Sequence, residues 1–381
     1  MLDYKCPNCG RLLGYKGLCW QCQSEEERKE VFEMTPEQRR EKMAHLIANI
    51  DKISDLNEEY NDFWKLLSCL GVCPPELQRA ALQKEVFYPP VLYYHAPKDV
   101  RDTLIRLLNE TDKSMTASHL MECIAMQGDD VSLKALLALE KNPREWREAL
   151  YVDPSVYAQC GGWTFNKEGE RRDLNYNMCY PMVKKSENKK PVIKETGKTG
   201  KKMLPEAAVI GRARRDKCSN CGCIMMDMLV LDGRDERLEF LGIDGIITAS
   251  CCPSCVCFTE SSFSKFELDG SSTPLKDTLI IQNVENYCEE EDIKELSDNL
   301  WELGKTPVPV FYGAYYEDVN TIGGFANWIQ DWNYVSCPEC EKPMMLLAQI
   351  QWETVQLNCE GTLYIEICPE CRIASMHHQQ T

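Results

Sequence analysis

Cysteines in regularly spaced pairs are the residues of this sequence with the clearest potential chemistry. The chain has 381 residues, and 22 of them are cysteine. Two sulfurs that stand three residues apart in a tight turn can ligate one metal ion, and two such turns complete a tetrahedral site. Six pairs have this spacing: Cys6 and Cys9, Cys19 and Cys22, Cys218 and Cys221, Cys252 and Cys255, Cys337 and Cys340, and Cys368 and Cys371.

Taken two at a time in chain order, the six pairs predict three zinc sites with four sulfur ligands each. An all-sulfur site has no ligand position left for a substrate, so we expect up to three structural Zn²⁺ ions. The second site has close neighbours that offer alternative ligands or free thiols. These neighbours are Cys223, Cys251 and Cys257.

Two other uses of paired cysteines are weaker interpretations of the same pattern. A redox-active Cys-x-x-Cys pair normally begins a helix after a strand, whereas we expect these pairs at strand ends, each with a matching second pair. A disulfide framework is typical of secreted proteins, and the N-terminal sequence MLDYKCPNCGRLLGYKGLCWQC has no apolar signal core.

An internal repeat relates the second and third predicted sites. A shift of 119 residues aligns CSNCGCIMMDMLVLDG, which begins at Cys218, with CPECEKPMMLLAQIQW, which begins at Cys337. The closing pairs align after a spacing difference of three residues. Both segments therefore predict a hairpin whose two strands bring two cysteine turns to the same end. A glycine pair precedes each segment, Gly161-Gly162 in the first and Gly323-Gly324 in the second.

The region between the first and second sites reads as helical up to about residue 150. Thr35 and Pro36 form a helix start, and apolar residues from Met43 to Leu67 then recur every three or four positions. This spacing predicts one long amphipathic helix that faces the core or a partner, with Asn57 at an inner position. The shorter helices that follow resemble a helical-repeat array.

Two runs of charge interrupt the second half of the chain. Residues 184–202 hold eight lysines and two glutamates, which predicts a flexible loop or a patch that docks an acidic or nucleic-acid partner. Residues 285–302 are acidic, with Ile293, Leu296 and Leu300 on one face, and predict an acidic-surfaced helix.

The overall charge disfavours non-specific binding to nucleic acid. The formal net charge is −17, from 60 acidic and 43 basic residues. Binding to nucleic acid depends on neutralising phosphates, so a basic protein partner suits this chain better. No apolar run approaches the roughly 20 residues that span a bilayer, and we expect a cytoplasmic protein without membrane contact.

The predicted fold class is α+β in four segments. We expect a zinc ribbon over 1–23 and a helical domain over 24–150. Two related β-rich zinc modules follow, the first over 151–274 with its lysine-rich loop at 184–202. The second, over 275–381, begins with the acidic helix.

The second module resembles the superfamily that unites YwqG-like bacterial proteins with programmed-cell-death-protein-2 and its ribosome-biogenesis relatives. The resemblance is carried by IGGFANWIQ, then CPEC and PMMLLAQI, and finally GTLYIEICPEC. It covers 310–381 well and 155–265 loosely, and the first module lacks a clear Trp-Ile-Gln equivalent. The matching positions are Gly323, Gly324, Trp328, Gln330, Cys337, Cys340, Leu346, Leu347, Gln349, Cys368 and Cys371.

The resemblance implies a non-enzymatic module that binds a protein, with Gly323, Gly324, Trp328 and Gln330 as candidate partner-binding residues. Bacterial members are linked to immunity against polymorphic toxins, and eukaryotic members resemble chaperones of a ribosomal protein. The sequence itself shows no Walker-type loop, Gly-x-Ser-x-Gly or His-Glu-x-x-His motif. We therefore expect no catalytic residues. A nucleic-acid-associated zinc-ribbon factor that uses the lysine-rich loop is a further alternative.

Overall fold

The computed structural model describes most of the chain, and it divides the chain into two compact units, Met1–Asp173 and Leu174–Thr381. Helices and strands are both abundant, so the predicted α+β class is confirmed. Most of the predicted lysine-rich loop lies outside the described residues. These are residues 4–150, 152–184, 206–275, 278–279, 282–283, 285–298, 301–356 and 359–380.

The first unit is a small cysteine-rich hairpin followed by helices. Short 3-10 turns at Ile50–Asp55, Pro90–Tyr93, Glu145–Ala149 and Ala158–Gly161 connect its elements. The strands are β1 (Tyr4–Lys5), β2 (Leu12–Leu13), β3 (Trp163–Phe165) and β4 (Arg171–Asp173). The helices are α1 (Trp20–Glu33), α2 (Pro36–Ala48), α3 (Glu58–Leu70), α4 (Pro75–Gln83), α5 (Lys98–Glu110), α6 (Ser114–Ala125), α7 (Asp130–Lys141) and α8 (Pro154–Tyr157).

The single long helix that the apolar spacing predicts is interrupted. Thr35 and Gln38 form a reciprocal capping box at the start of α2, as the sequence indicates. However, α2 ends at Ala48, and Leu56 adopts a left-handed conformation before α3 begins. Asn57 is the N-cap of α3, and its side chain accepts a hydrogen bond from the Tyr60 amide, so it does not sit in a seam.

The structure places residues 152–173 in the first unit, whereas the sequence assigned them to the first β-rich module. Trp163 is fully buried, and its indole N–H donates to the Ala125 carbonyl oxygen at 2.8 Å. A Cβ on Gly161 would lie 2.1 Å from that same oxygen, so this glycine permits close contact with α6. The β3–β4 hairpin therefore packs on the helices.

The second unit contains most of the β structure. Its helices are α9 (Glu290–Ser297) and α10 (Trp352–Val355), with 3-10 turns at Glu236–Leu241, Val256–Phe258 and Tyr312–Ala314. The strands are β5 (Cys179–Lys184), β6 (Ala208–Lys217), β7 (Ile224–Asp232), β8 (Ile246–Cys251), β9 (Thr259–Phe266), β10 (Ser272–Pro274), β11 (Thr278–Leu279), β12 (Trp301–Leu303), β13 (Asn320–Gly323), β14 (Met345–Gln351), β15 (Thr362–Cys368) and β16 (Ile373–Gln379). The predicted acidic helix is thus shorter than 285–302, because its last residues form β12.

The two predicted β-rich modules share one sheet. Its order is β10-β9-β16-β15-β14-β13-β5-β12, with β11 also paired to β9. Strands β5, β9 and β10 come from the first predicted module, and β11 to β16 come from the second. The predicted boundary between two separate modules at residues 274 and 275 therefore does not match the structure, because strands from both modules are needed to complete the sheet. A second sheet, in the order β6-β7-β8, packs with this one around a common apolar core.

Strand register supports the internal repeat in more detail than the cysteines do. Strand β7 carries a bulge against β8 between Asp227 and Leu229, and β14 carries one against β15 between Leu346 and Ala348. These positions are related by the same 119-residue shift. Because both bulges are local departures from regular pairing, their coincidence favours a common origin of the two hairpins.

The register also corrects the glycine match. Ile210 on β6 pairs with Leu229, and Ile322 on β13 pairs with Ala348, so the next residues Gly211 and Gly323 are equivalent. Their φ angles are 70° and 72°. The first repeat's counterpart of Gly323 is thus Gly211, and Gly161-Gly162 belongs to the other unit.

Candidate metal centres and the strap beside them

The structure brings the twelve paired cysteines together in three clusters of four. Within each cluster the four sulfur atoms lie within 4.8 Å of one another. The clusters are Cys6, Cys9, Cys19 and Cys22; Cys218, Cys221, Cys252 and Cys255; and Cys337, Cys340, Cys368 and Cys371. These are the three ligand sets that the spacing predicts.

The sulfur separations fit a tetrahedral ion. A metal with bonds of about 2.3 Å to sulfur requires adjacent sulfurs about 3.8 Å apart. The Cys218 and Cys255 sulfurs are 3.7 Å apart, and those of Cys340 and Cys368 are also 3.7 Å apart. In the first cluster, the sulfurs of Cys9 and Cys19 are separated by 3.5 Å. All three clusters are therefore compatible with a structural zinc ion.

The donor chemistry also calls for a cation. In the third cluster, burial raises the pKa of the Cys368 thiol, and the neighbouring Cys337 sulfur adds to this effect. Four thiolates crowded together repel one another, and a divalent cation at their centre removes this cost. Backbone N–H groups already point at several sulfurs, including Cys19 N–H to Cys6 Sγ at 3.3 Å.

One backbone turn recurs in the first half of every cluster. The residue after its second cysteine has a positive φ, which is 75° at Gly10, 77° at Gly222 and 61° at Glu341. Each of these residues donates its N–H to the carbonyl of the cluster's first cysteine at 2.8–2.9 Å. Glycine suits this left-handed position, and Glu341 occupies it under strain.

The second halves of the clusters differ from one another. Cys19 and Cys22 lie at the start of helix α1 rather than at a strand end, which differs from the expectation for these pairs. In the second and third clusters, the hairpins β7–β8 and β14–β15 place both cysteine turns at one end, as predicted. The metal would therefore join a hairpin to a helix in one case and close a hairpin in two.

The possible alternative ligands of the second cluster have other positions. Cys223 is buried and its thiol donates to the Ile224 carbonyl oxygen, while Cys257 is exposed. Cys251 is the last residue of β8 and pairs with Met226. None of these three cysteines belongs to the group of four whose sulfur atoms lie close together. A cleft of about 610 Å³ lies beside this centre, lined in part by Cys218, Cys252 and Cys255.

A surface segment that we call the strap, residues 324–336, covers one face of the large sheet. It begins after β13 and ends at the third metal centre. The sheet holds the strap mainly through bonds from side chains to strap backbone, such as Val335 N–H to Glu366 Oε2 at 2.8 Å. The side chains that make these bonds are Gln349, Tyr364, Glu366 and Gln379.

The strap is longer than its counterpart in the first repeat. From Gly323 to Cys337 the sequence numbers differ by 14, whereas from Gly211 to Cys218 they differ by 7. The shorter segment simply continues as strand β6 up to the cysteine turn. This difference explains why the first repeat has no Trp-Ile-Gln equivalent.

The four candidate partner-binding residues have two different settings. A Cβ on Gly323 would lie 2.3 Å from the Met178 carbonyl oxygen, and one on Gly324 would lie 2.6 Å from the Val310 carbonyl oxygen. These two glycines therefore allow close backbone packing. Gln330 is exposed, and Trp328 is half-buried on the strap. Of the four residues, only Gln330 and Trp328 have side chains that reach the surface.

Beneath the strap, aromatic rings cover polar groups that lie outside the sequence motifs. The Trp328 ring stacks on Tyr364 with centroids 4.4 Å apart and on His377 at 6.0 Å. His377 belongs to β16 and is 2% exposed. Burial raises the pKa of Glu366 well above its usual range. In the sequence, the alternating polar residues of β15 indicate this polar face. They are Thr362, Tyr364 and Glu366.

Burial of His377 predicts a pH-dependent stability. Burial lowers its pKa to about 4, so the neutral ring is favoured in the folded state. This contribution to the free energy of unfolding is fully present above the unfolded pKa of about 6.5 and is lost as the pH falls toward 4. At pH 5 the loss is about 2 kcal/mol. We expect His377→Gln to lose less stability than the parent between pH 7 and pH 5 in urea titrations. His119→Gln, in the other unit, is the control, and equal slopes for parent and His377→Gln would contradict this account.

Comparisons with known proteins give a relative but no family. The chain is 26% identical over 297 residues to the uncharacterized protein YpfL of Salmonella typhimurium (strain LT2). The alignment covers 77% of this chain and 65% of YpfL, so the chain spans about two thirds of that protein's length. No family model matches the chain, and no solved structure matches it. Within the residues that the structure describes, no helix is both long and apolar enough to cross a membrane.

Proposed function

We propose that this is a non-enzymatic, cytoplasmic zinc protein that binds another protein through the strap. The observation that supports this most directly is the strap itself. It presents the half-buried Trp328 and the exposed Gln330 on a surface segment, and it is anchored by buried polar side chains of three adjacent strands. Tryptophan is a frequent anchor of protein interfaces.

Zinc is the ion we propose for all three centres. Four sulfurs at tetrahedral separations form a closed site, in which zinc contributes to folding and leaves no position for substrate. Iron also accepts four cysteine sulfurs. Metal analysis of the purified full chain is expected to give three zinc ions per molecule, and iron at these positions would overturn the choice of ion.

The proposed partner is a basic protein. Each zinc ion bound by four thiolates adds two negative charges, so three centres would lower the formal charge of −17 by six, to −23. Complementary charge promotes association with a basic surface. The resemblance to YwqG-like proteins supports a toxin domain as the first candidate, which would make this an immunity protein. A ribosomal or other basic client, bound by a chaperone, is the second.

Affinity capture of the tagged chain from its native cells tests this proposal, and purified components then repeat the binding. We expect one basic partner at near-stoichiometric amounts. Trp328→Ala should weaken binding at least tenfold, whereas Tyr287→Ala, at a residue 62% exposed elsewhere in the unit, should not. A toxin domain would support immunity, and a ribosomal protein would support chaperoning.

Nucleic acid is the alternative partner that this experiment can identify. Salt-sensitive retention on nucleic acid that depends on the lysines of 184–202 would favour the zinc-ribbon factor instead. Recovery of nucleic acid alone, or of no stable partner, would remove the proposed function.

A further inference from the structure

Within the part of the chain that the structure describes, three side chains beneath the strap carry buried polar atoms that have no hydrogen-bond partner. Glu366 and Ser375 are 0% exposed and His377 is 2% exposed. The unpartnered atoms are Glu366 Oε1, Ser375 Oγ, and both ring nitrogens of His377. Buried polar groups are nearly always paired, so four such atoms in one place mark a candidate site for a polar ligand.

Strand register places these three side chains on one face of the sheet. Glu366 pairs with Ser375, and Tyr364 pairs with His377, on the neighbouring strands β15 and β16. Residues directly opposite in an antiparallel pair project to the same side, and so do residues two apart on one strand. The strap covers this side, because Val335 N–H donates to the other oxygen of Glu366 at 2.8 Å.

The chemistry of the cluster fits a planar cation. A carboxyl oxygen, a hydroxyl and an imidazole nitrogen all accept hydrogen bonds. The rings of Trp328, Tyr364 and His377 stack beside them, with Tyr364 and His377 5.2 Å apart. A guanidinium group donates several N–H bonds in one plane and stacks on aromatic faces, whereas an ammonium group has no planar face.

We propose that this cluster receives an arginine side chain of the protein partner, with its guanidinium donating a hydrogen bond to Glu366 Oε1 and covered by Trp328. The arginine side chain can enter only if the strap moves and lifts Trp328 from the sheet. The strap is held by hydrogen bonds between sheet side chains and strap backbone, and the backbone of a partner can replace these bonds. This inference rests on the proposed function, because it names the partner group that the same surface would recognise.

A pair of small peptides tests the site without the partner. The probes are acetyl-Gly-Arg-Gly-amide and acetyl-Gly-citrulline-Gly-amide, which have nearly the same shape but differ in charge. Binding to the full, metal-loaded chain is followed by NMR through the Trp328 indole N–H signal, which is assigned with Trp328→Phe. We expect the dissociation constant measured from this signal to be at least tenfold lower for the arginine peptide than for the citrulline peptide.

Variants of the chain separate the site from general charge attraction. Glu366→Gln should weaken the arginine peptide at least tenfold, and Glu317→Gln, at an exposed acid of the same unit, should not. If Glu366→Gln does not fold with its full metal content, Ser375→Ala is used and should weaken binding measurably. Equal binding of the two peptides, or equal effects of the glutamate variants, would overturn the proposal.

A crystal structure grown with the arginine peptide gives the remaining outcome. Ordered water alone under the strap would show that the cluster is a hydration site and would overturn the inference. A captured partner that binds Glu366→Gln normally would remove this inference and leave the proposed function intact. Conversely, specific arginine binding with no captured partner would remove only the proposed function.

Discussion

Serine in place of Cys337 is expected to unfold the whole second unit. Cys337 is 1% exposed and packs with Met344, Cys368 and Ile373 around the third metal centre. Structural zinc centres contribute about 10 kcal/mol or more of apparent free energy, and loss of one ligand removes several kcal/mol of this. That loss is comparable with the total stability of a typical domain, which is about 5–15 kcal/mol. Because the centre closes the β14–β15 hairpin in the middle of the shared sheet, the damage should not stay local.

Metal analysis and urea unfolding check this expectation together. The variant should hold one ion fewer than the parent and should lose its cooperative transition. Cys257→Ser is the matched control, because Cys257 is exposed in the same unit and lies outside all three clusters. A Cys337→Ser protein that keeps its normal unfolding midpoint while lacking the ion would show that the centre does not stabilise the sheet.

Alanine at Gly323 is expected to have the second largest effect, about 3 kcal/mol or more. Two costs add in this variant. The φ of 72° disfavours any side chain by about 1–2 kcal/mol. The new Cβ would also lie 2.3 Å from the Met178 carbonyl oxygen, which forces β13 away from its neighbour β5.

Gly242→Ala separates these two costs. Gly242 has a φ of 68°, but no atom of the described residues lies within 4 Å of its added Cβ, so only the conformational penalty applies. We expect it to lose about 1 kcal/mol in urea unfolding. Equal losses in the two variants would show that backbone conformation, and not the close approach of β13 to Met178, makes Gly323 necessary.

The three cysteine clusters could be predicted from sequence because the residues that form each turn are close together in the chain. Each turn is specified by two cysteines and the residues between and after them, and each hairpin by alternating apolar residues. The 119-residue repeat indicated in addition that the second and third clusters are built on equivalent hairpins. The α+β class followed from the same patterns, since helical spacing and strand alternation are both short-range signals.

The arrangement of the sheet could not be predicted in this way. Strand β5 is separated from its neighbour β13 by more than a hundred residues, and nothing in the six residues of β5 identifies that partner. The left-handed Leu56, which ends the predicted long helix, carries no glycine signal either. The cluster of Glu366, Ser375 and His377 depends on register between strands, which side-chain patterns in one strand do not specify.

The position of β16 has a consequence for how the protein is made. This strand, Ile373–Gln379, lies between β9 and β15 and bonds to both. While the chain is being synthesised, β9 must wait for more than a hundred further residues before its neighbour emerges. During that interval its edge is open to other strands, which is the condition under which newly made chains associate wrongly. The hairpin β7–β8 and its four cysteines precede β9 in the chain and can form sooner, so cellular metal supply during synthesis would influence how much of the chain reaches the native sheet.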